Sequence, residues 1–453
     1  MAEGSFKNNV LATVFGLVFA ILILEVAGRV LPIRMGFGEG MDYLRFDPVL
    51  GFEIDPGVES INYKSDCLNV EGVSINGQGM RALDDVVPAD RPEGIRVAVL
   101  GDSFMMAREV GDDEFFAANL QRQLPGSEFL NFGVPGYGTL QYQLSWQEKA
   151  AEYSPDLTVL SFLELNDVED NSYDIAAVTG WQGLRPSYDD QGDLVLPDEN
   201  AWKLQQNKSF SGLLHRNLRH YSYTYYLLDE LLLKRLINRL RGSKVRQDEY
   251  LQQYWWASDP LLLHAGVYQT EPDAIWAKAW RDTERSIIEL NRQVRAGGGQ
   301  LVILYMPNTG NKYRALLPGL YKDKVGTDMP DTMDVGYPRR RLSQLAAAES
   351  IAFVDPSSNF ERYTEKHELG GPKFSFVCDG HFSPVGHYVV SNTFAKWLLD
   401  SGWVSTDDLA NPDVYTEDKF LDVSPSELLG DEAYSEVFNW RGVYTGNSDA
   451  GEF

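Results

Sequence analysis

Cysteine is almost missing from this chain: Cys67 and Cys378 are the two in 453 residues. Neither stands in a CxxC pair, and a zinc site needs more soft ligands than two scattered thiols supply. They are unpaired thiols or, in an exported chain, a disulfide, because spacing alone does not bring two sulfurs together. Cations are scarce as well. Lys and Arg number 40 against 66 Asp and Glu, a formal net charge of −26. Such a surface repels phosphate backbones, which argues against nucleic acid as a partner. There is no HExxH, no Walker loop and no strand-following GxGxxG, so neither a metal nor a cofactor is expected. No repeat with a period of about 20–50 residues is visible. The composition, 43% hydrophobic and 23% charged, lets most of the chain bury a core. Its length suits one large domain with additions, or two domains.

What is present begins with an apolar run. Val10 to Leu24 carries no charge, and Thr13 is its one polar side chain. Glu25 interrupts it, and Val26 to Ile33 is again mostly apolar. A spanning helix wants about 20 apolar residues, a signal-peptide core about 7–15. With Glu25 at the interface, Asn9 to Val30 is long enough to span, and Val26-Ala27-Gly28 is a weak cleavage site. An uncleaved membrane anchor over 1–35 is therefore favoured over a cleaved signal. With such an anchor the rest of the protein is expected outside the cytoplasm, in a periplasmic or extracellular setting. Lys7 before the run and Arg29 and Arg34 after it leave the orientation open.

Residues 36–92 are rich in Gly, Asp and Pro and read as an irregular extension, with short strands such as Ser74-Ile75-Asn76. Between 93 and 402 the pattern changes. Five strands are expected at 95–100, 129–132, 157–163, 300–305 and 351–354. Helices fall at 113–124, capped by Asp112 or Asp113, then 139–153, 272–296, 339–348 and from Ser383 or Pro384 to Leu399. This alternation predicts an α/β fold with a parallel five-stranded sheet covered on both faces. Ligands in such sheets bind outside the carboxyl ends of the strands. A mainly helical insertion interrupts the pattern at about 171–270. Its stretch from Ser211 to Arg241 carries Leu228, Leu232, Leu236 and Leu240 at i,i+4, as a core-facing or membrane-surface helix would. Trp181, Trp202, Trp255, Trp256, Trp276 and Trp280 lie in or beside it; they pack the insertion or stack on sugar rings. The tail, 403–453, is acidic and expected to be solvated.

Four segments carry chemistry. Gly101-Asp102-Ser103 ends the first strand, where a tight turn can expose the Ser103 hydroxyl as a nucleophile. The loop from Asn131 to Thr139 holds Gly133, Gly136 and Gly138, whose backbone N–H groups can approach a developing oxyanion. Glu164-Leu165-Asn166-Asp167 places an amide donor, Asn166, at another strand end. Asp379-Gly380-His381 sets an imidazole two residues from a carboxylate able to fix its tautomer, so that His381 can take the serine proton. Taken singly, each also fits a structural turn, glycine-rich loop or helix cap.

Together and in this order the four segments resemble the blocks of the SGNH hydrolases, or GDSL-type esterases, and in particular their membrane-anchored bacterial members. The stretch Asn62 to Leu100, with Asn76-Gly77-Gln78-Gly79-Met80-Arg81, is similar to the lead-in of those members. The resemblance implies a flavodoxin-like three-layer fold. It also implies a triad of Ser103, His381 and Asp379, and an oxyanion hole of Ser103, Gly136 and Asn166. The implied activity is hydrolysis of an acyl, most simply acetyl, ester of an exported carbohydrate or lipid through an acyl-enzyme. Two departures stand out. Glu164 replaces the glycine that opens the third block, and Asp379 lies two rather than three residues before His381, with Cys378 at the usual place. That shorter spacing resembles carbohydrate-acetylating members, so O-acyl transfer to an exported glycan is the alternative activity. A non-catalytic anchored binding protein is the third reading.

Overall fold

A computed structural model describes residues 43–64, 68–164, 166–179, 181–206, 253–258, 260–307, 312–367, 374–376 and 379–429, together with 13, 15, 16, 19, 21–26, 222, 224 and 225. The chain divides into two units. One comprises Met1–Gly40, Lys64–Asp66 and Lys203–Val245, and the other holds the remainder.

In the larger unit the apolar segments form strands because their side chains alternate between two cores, a period of two that suits a sheet buried on both faces. Four strands precede the central sheet: β1 (Leu44–Asp47) pairs antiparallel with β2 (Gly51–Ile54), and β3 (Ser60–Lys64) pairs with β4 (Asn69–Ser74). The central strands are β5 (Arg96–Leu100), β6 (Glu128–Asn131) and β7 (Leu157–Leu163). After the short hairpin β8 (Ser187–Tyr188) and β9 (Leu194–Val195) come β10 (Gln300–Met306) and β11 (Ala352–Val354). The five central strands are parallel and run β11-β10-β7-β5-β6. Counted within the sheet this is the order 2-1-3-4-5 of flavodoxin-like doubly wound folds.

Ala98, Leu100, Leu160, Phe162, Ile303 and Tyr305 enter one core; Val97, Val99, Val159, Leu163, Val302 and Leu304 enter the other. Helices cover each face. The first core includes residues of α2 (Thr139–Glu148), α3 (Ala274–Ala296) and α4 (Tyr337–Ala348). The second includes residues of α1 (Phe116–Gln123), α5 (Ser357–Lys366) and α6 (Pro384–Asp400). Each fully buried aliphatic or aromatic side chain contributes roughly 1.5–3 kcal/mol relative to exposure, so these two apolar layers hold the sheet. The chain reverses direction across the sheet between β5 and β7. Ligands of such folds lie at that switch point, beyond the carboxyl ends of the strands.

Several expectations are corrected. The extension is not irregular, since four of its segments pair as strands. Helix α1 begins at Phe116, not at 113, and Asp112 is engaged elsewhere: it accepts hydrogen bonds from the Ser74 N–H and hydroxyl at 3.1 and 2.5 Å. The tail is part of the fold as far as 429, burying Leu409, Tyr415, Phe420 and Leu421. Its apolar residues, not its net charge, decide that. Trp181, Trp202, Trp256, Trp276 and Trp280 are buried, which makes them packing residues and not sugar platforms. Residues 207–221 and 226–252, which hold most of the expected long helix, lie outside the described residues, as do Cys67 and Cys378.

In the smaller unit, most of the expected anchor lies outside the described residues. Among those described, no helix is long and apolar enough to cross a membrane. Glu25 accepts hydrogen bonds there from the Ser222 hydroxyl (3.0 Å) and the Thr224 N–H (3.1 Å).

Candidate active site

At the end of β5 the chain turns at once into a single helical turn, Ser103–Met106. Asp102 caps it, accepting from the Phe104 N–H at 2.9 Å, which is how a short acidic side chain satisfies an orphan helix donor. The glycine-rich loop after β6 lies directly against this turn. Asn131 donates its side-chain amide to the Met105 carbonyl at 2.8 Å. A Cβ on Gly133 would stand 2.6 Å from the Met106 nitrogen, so only glycine allows that approach.

Ser103 and His381 are 278 residues apart in sequence, and the fold sets the His381 Nε2 2.8 Å from the Ser103 Oγ. On the other side of the ring, Nδ1 is hydrogen-bonded to Asp379 Oδ1, and the same oxygen accepts from the His381 backbone N–H at 3.2 Å. The two-residue spacing closes because Gly380 takes φ +95°, a left-handed conformation that costs glycine little. The other oxygen of Asp379 accepts from the Tyr63 hydroxyl. Burial works to raise the Asp379 pKa, but the neighbouring His381 and the hydrogen bonds from His381 and Tyr63 outweigh it and hold the carboxyl at about 2. Burial likewise disfavours the His381 cation, yet Glu109 and Asp379 raise its pKa to about 10.

Asn166 points its amide at the turn that carries Ser103 and donates to Asp102 Oδ2 at 3.2 Å. Gly136 sits in the loop at φ +78° with its carbonyl accepting from Arg185 Nε at 2.8 Å. Arg185 in turn pairs with Asp170 at 2.9 Å. Glu164 is buried and accepts from the hydroxyls of Tyr268 (3.1 Å) and Tyr305. Two tyrosines thus accommodate the buried carboxylate.

Several neighbours of this site escaped the reading of the sequence. Tyr63 lies in the stretch taken as irregular. Glu109 and Arg108 follow Ser103 by a few residues, and two adjacent charges inside an otherwise apolar stretch, Met105 to Val110, are the signal that marks them. Arg108 donates to the Tyr43 hydroxyl at 2.8 Å and stacks over the Tyr63 ring at 4.4 Å. Arg81, buried, donates to the carbonyls of Met106 (2.9 Å), Ala107, Val110 (2.7 Å) and Gly111 (2.9 Å). It thereby fixes a loop in which Ala107 holds φ +53°, a conformation unfavourable for a residue with a Cβ. His264 pairs with Glu169 at 2.9 Å, a setting that its sequence context did not suggest.

One trio of potential metal donors occurs among the described residues: Glu109, Asp379 and His381 lie within 4.8 Å of one another. With Nδ1 hydrogen-bonded to Asp379 and Nε2 to Ser103, the imidazole is committed to carboxylate and hydroxyl, the arrangement of a base and not of a ligand. A hydroxyl at hydrogen-bond distance from an imidazole, itself oriented by a buried carboxylate, can pass its proton to the ring as it attacks an electrophile.

No protein-family model and no curated protein matches the chain. Three solved structures illustrate the likenesses found. An acetyl xylan esterase is 12% identical, over 67% of this chain and 100% of its own, with a TM-score of 0.33. A catalytic mutant of an acetylxylan esterase from Geobacillus stearothermophilus is 11% identical, over 67% and 94%, with a TM-score of 0.33. An alpha/beta hydrolase from the metagenome of Lake Arreo, Spain, is 16% identical, over 68% and 96%, with a TM-score of 0.32. At TM-scores near one third, none of them identifies the fold or the activity of this chain.

Proposed function

We propose that this protein is a serine ester hydrolase working through an acyl-enzyme on Ser103, with His381 as base and Asp379 orienting it. The single observation that carries the reading is the continuous hydrogen-bonded line from the Ser103 hydroxyl through the His381 ring to Asp379. In acylation, Ser103 Oγ bonds to the ester carbonyl carbon while its proton moves to His381 Nε2. That proton then passes to the departing alkoxide. Water repeats the sequence in reverse and releases the acid. The Ser103 and Gly136 N–H groups and the Asn166 amide are the oxyanion donors in this reading. Binding of Asn166 to Asp102 supports its part, because a donor already held in place needs no reorganisation as charge develops.

The substrate proposed is an acyl, most simply acetyl, ester of an exported carbohydrate or lipid; the two-residue spacing of Asp379 and His381, similar to that of carbohydrate-acetylating proteins, supports transfer to a glycan as the second reading. The test is labelling of the full chain by a fluorophosphonate probe, followed by a panel of aryl esters of increasing acyl length. Labelling at Ser103 with a preference for acetyl is the expected result. A chain that neither labels at Ser103 nor cleaves any ester is a binding protein instead. Acyl product appearing on an added glycan, and not as free acid, assigns transfer.

Replacing Asn166 by alanine is expected to lower kcat by about 10²–10³-fold, the range for removal of one oxyanion donor. KM should change little, because the interaction is made in the transition state. Steady-state kinetics on an aryl acetate checks this.

A further inference from the structure

The base has a second acid beside it. Glu109, six residues beyond Ser103, is buried, and its Oε1 lies 3.5 Å from His381 Nδ1 and 3.2 Å from Arg108 Nε. Its Oε2 has no hydrogen-bond partner among the described residues. An ordinary triad has one carboxylate on that nitrogen and no use for another. A buried carboxylate with an empty oxygen is costly unless some charge nearby repays it.

The charges around the ring show what that is. Asp379 comes from the ring's own loop, Glu109 and Arg108 from the loop beyond the Ser103 turn, and Asp102 from the head of that turn. Tyr63 reaches in from β3, and His387 from α6. Burial, helped by the cations Arg81 and His381, holds His387 down at about 3, so it is neutral. Burial and the nearby carboxylates push the Tyr63 phenol far up, so it stays protonated. Asp102 is satisfied by Phe104 and Asn166 on the nucleophile side. Burial and the neighbouring Asp379 raise Glu109's own proton affinity, and the His381 cation and Arg108 oppose that rise, so Glu109 holds its charge through the imidazolium and the guanidinium beside it; on the Nδ1 side two carboxyl groups face one guanidinium. A proton on the imidazole balances that set, and loss of the proton strands one negative charge in a region of low dielectric.

We propose that Glu109 is a positioning residue for His381, a second carboxylate on the Nδ1 side that stabilises the imidazolium formed when Ser103 gives up its proton. This rests on the reading of Ser103 and His381 given above. The second carboxylate has two opposite consequences. It favours the cation in the transition state, and it keeps the resting ring protonated to higher pH. The working range is therefore displaced to the alkaline side, with a rising limb of kcat/KM governed by a pKa of about 10, not by the ordinary histidine value near 6.5.

Two variants of the full chain, Glu109→Gln and Glu109→Asp, test this by two readouts. The first is the pH profile of kcat/KM on an aryl acetate. Glu109→Gln should move the rising limb down by about one unit or more. Each unit makes the neutral ring about tenfold more abundant below the limb, so the variant gains on the wild type at neutral pH and falls below it on the alkaline plateau. Such a crossing is not produced by simple loss of structure. Glu109→Asp, which keeps the charge, should stay close to the wild-type limb, and it is the variant to use if the glutamine form does not fold. The second readout is titration of the ¹⁵N-labelled His381 ring by NMR, assigned with His381→Ala, which needs no turnover. A His381 titration unmoved in Glu109→Gln overturns the proposal. So does a limb shifted as much by Glu109→Asp as by Glu109→Gln. A ring titration that moves in a chain whose Ser103 does not label keeps Glu109 beside His381 and refutes the hydrolase reading instead.

Discussion

Replacing Ser103 by alanine is expected to lower kcat/KM for an aryl acetate by about 10⁴-fold or more, leaving a folded protein with unchanged circular dichroism. The hydroxyl is the atom that becomes acylated, so its loss removes the covalent route and not merely a contact. His381→Ala should cost about as much. The double variant Ser103→Ala/His381→Ala should be little worse than either single one, because groups that act as a unit are strongly non-additive. The residual rate then reports the oxyanion donors and substrate binding alone. Full turnover by the Ser103→Ala protein removes the acyl-enzyme from consideration. Additive losses in the double variant would mean that the 2.8 Å contact between Oγ and Nε2 is not used as a proton path.

The second large effect is on stability. Arg81→Ala should destabilise the protein by about 3–5 kcal/mol, the range for removing one partner of a buried charged network, measured by chemical denaturation. Four carbonyls lose a donor, although Ala107 and Gly111 keep the N–H groups of Val110 and Glu114; Asp112 loses a cation 3.5 Å away, and the guanidinium leaves the Phe115 ring, over which it stacks at 4.1 Å. Burial lowers the Arg81 pKa to about 10, so at neutral pH the group being lost is a cation. Arg81→Lys should recover little, since one ammonium cannot reproduce the planar fork that reaches several acceptors at once. The affected carbonyls belong to the loop from Met106 to Gly111, which follows Ser103 and contains Glu109, so activity should fall with stability. An Arg81→Ala protein as stable as the parent would show that water can take over those carbonyls.

Much of the framework was legible in the sequence for a local reason. Buried parallel strands are short, nearly continuous apolar runs, and Leu157–Leu163 and Gln300–Met306 form where such runs stand. Helix boundaries were legible where a side chain caps its own helix: Asp273 accepts from the Ile275 and Trp276 N–H groups, and Ser383 from Gly386. The reading failed where a side chain is claimed from far away. Asp112 could not be dismissed as a cap without knowing that Ser74 lies beside it. The extension looked irregular because Gly, Asp and Pro dominate its composition, whereas its strands pair at the expense of the flanking turns. Lys312–Val325 and Ser357–Lys366 were not anticipated as helices. The first carries Pro318 within it, and the second is amphipathic, with Phe360 and Tyr363 as its buried residues.

By itself the sequence determined the alternation of strands and helices, hence a sheet buried on both faces, with three of its four marked segments at the carboxyl ends of strands. Periodicity and turn chemistry act between neighbours in the chain, and neighbours are what a sequence displays. Only the tertiary structure decided which groups meet. The hydroxyl of Ser103 and the ring of His381, the phenol of Tyr63 and the carboxylate of Asp379, and Glu109 beside that same ring all depend on segments that touch only once the sheet is assembled. The charge balance at the imidazole is set by those contacts, because in a buried site each group's proton affinity follows from what surrounds it in space.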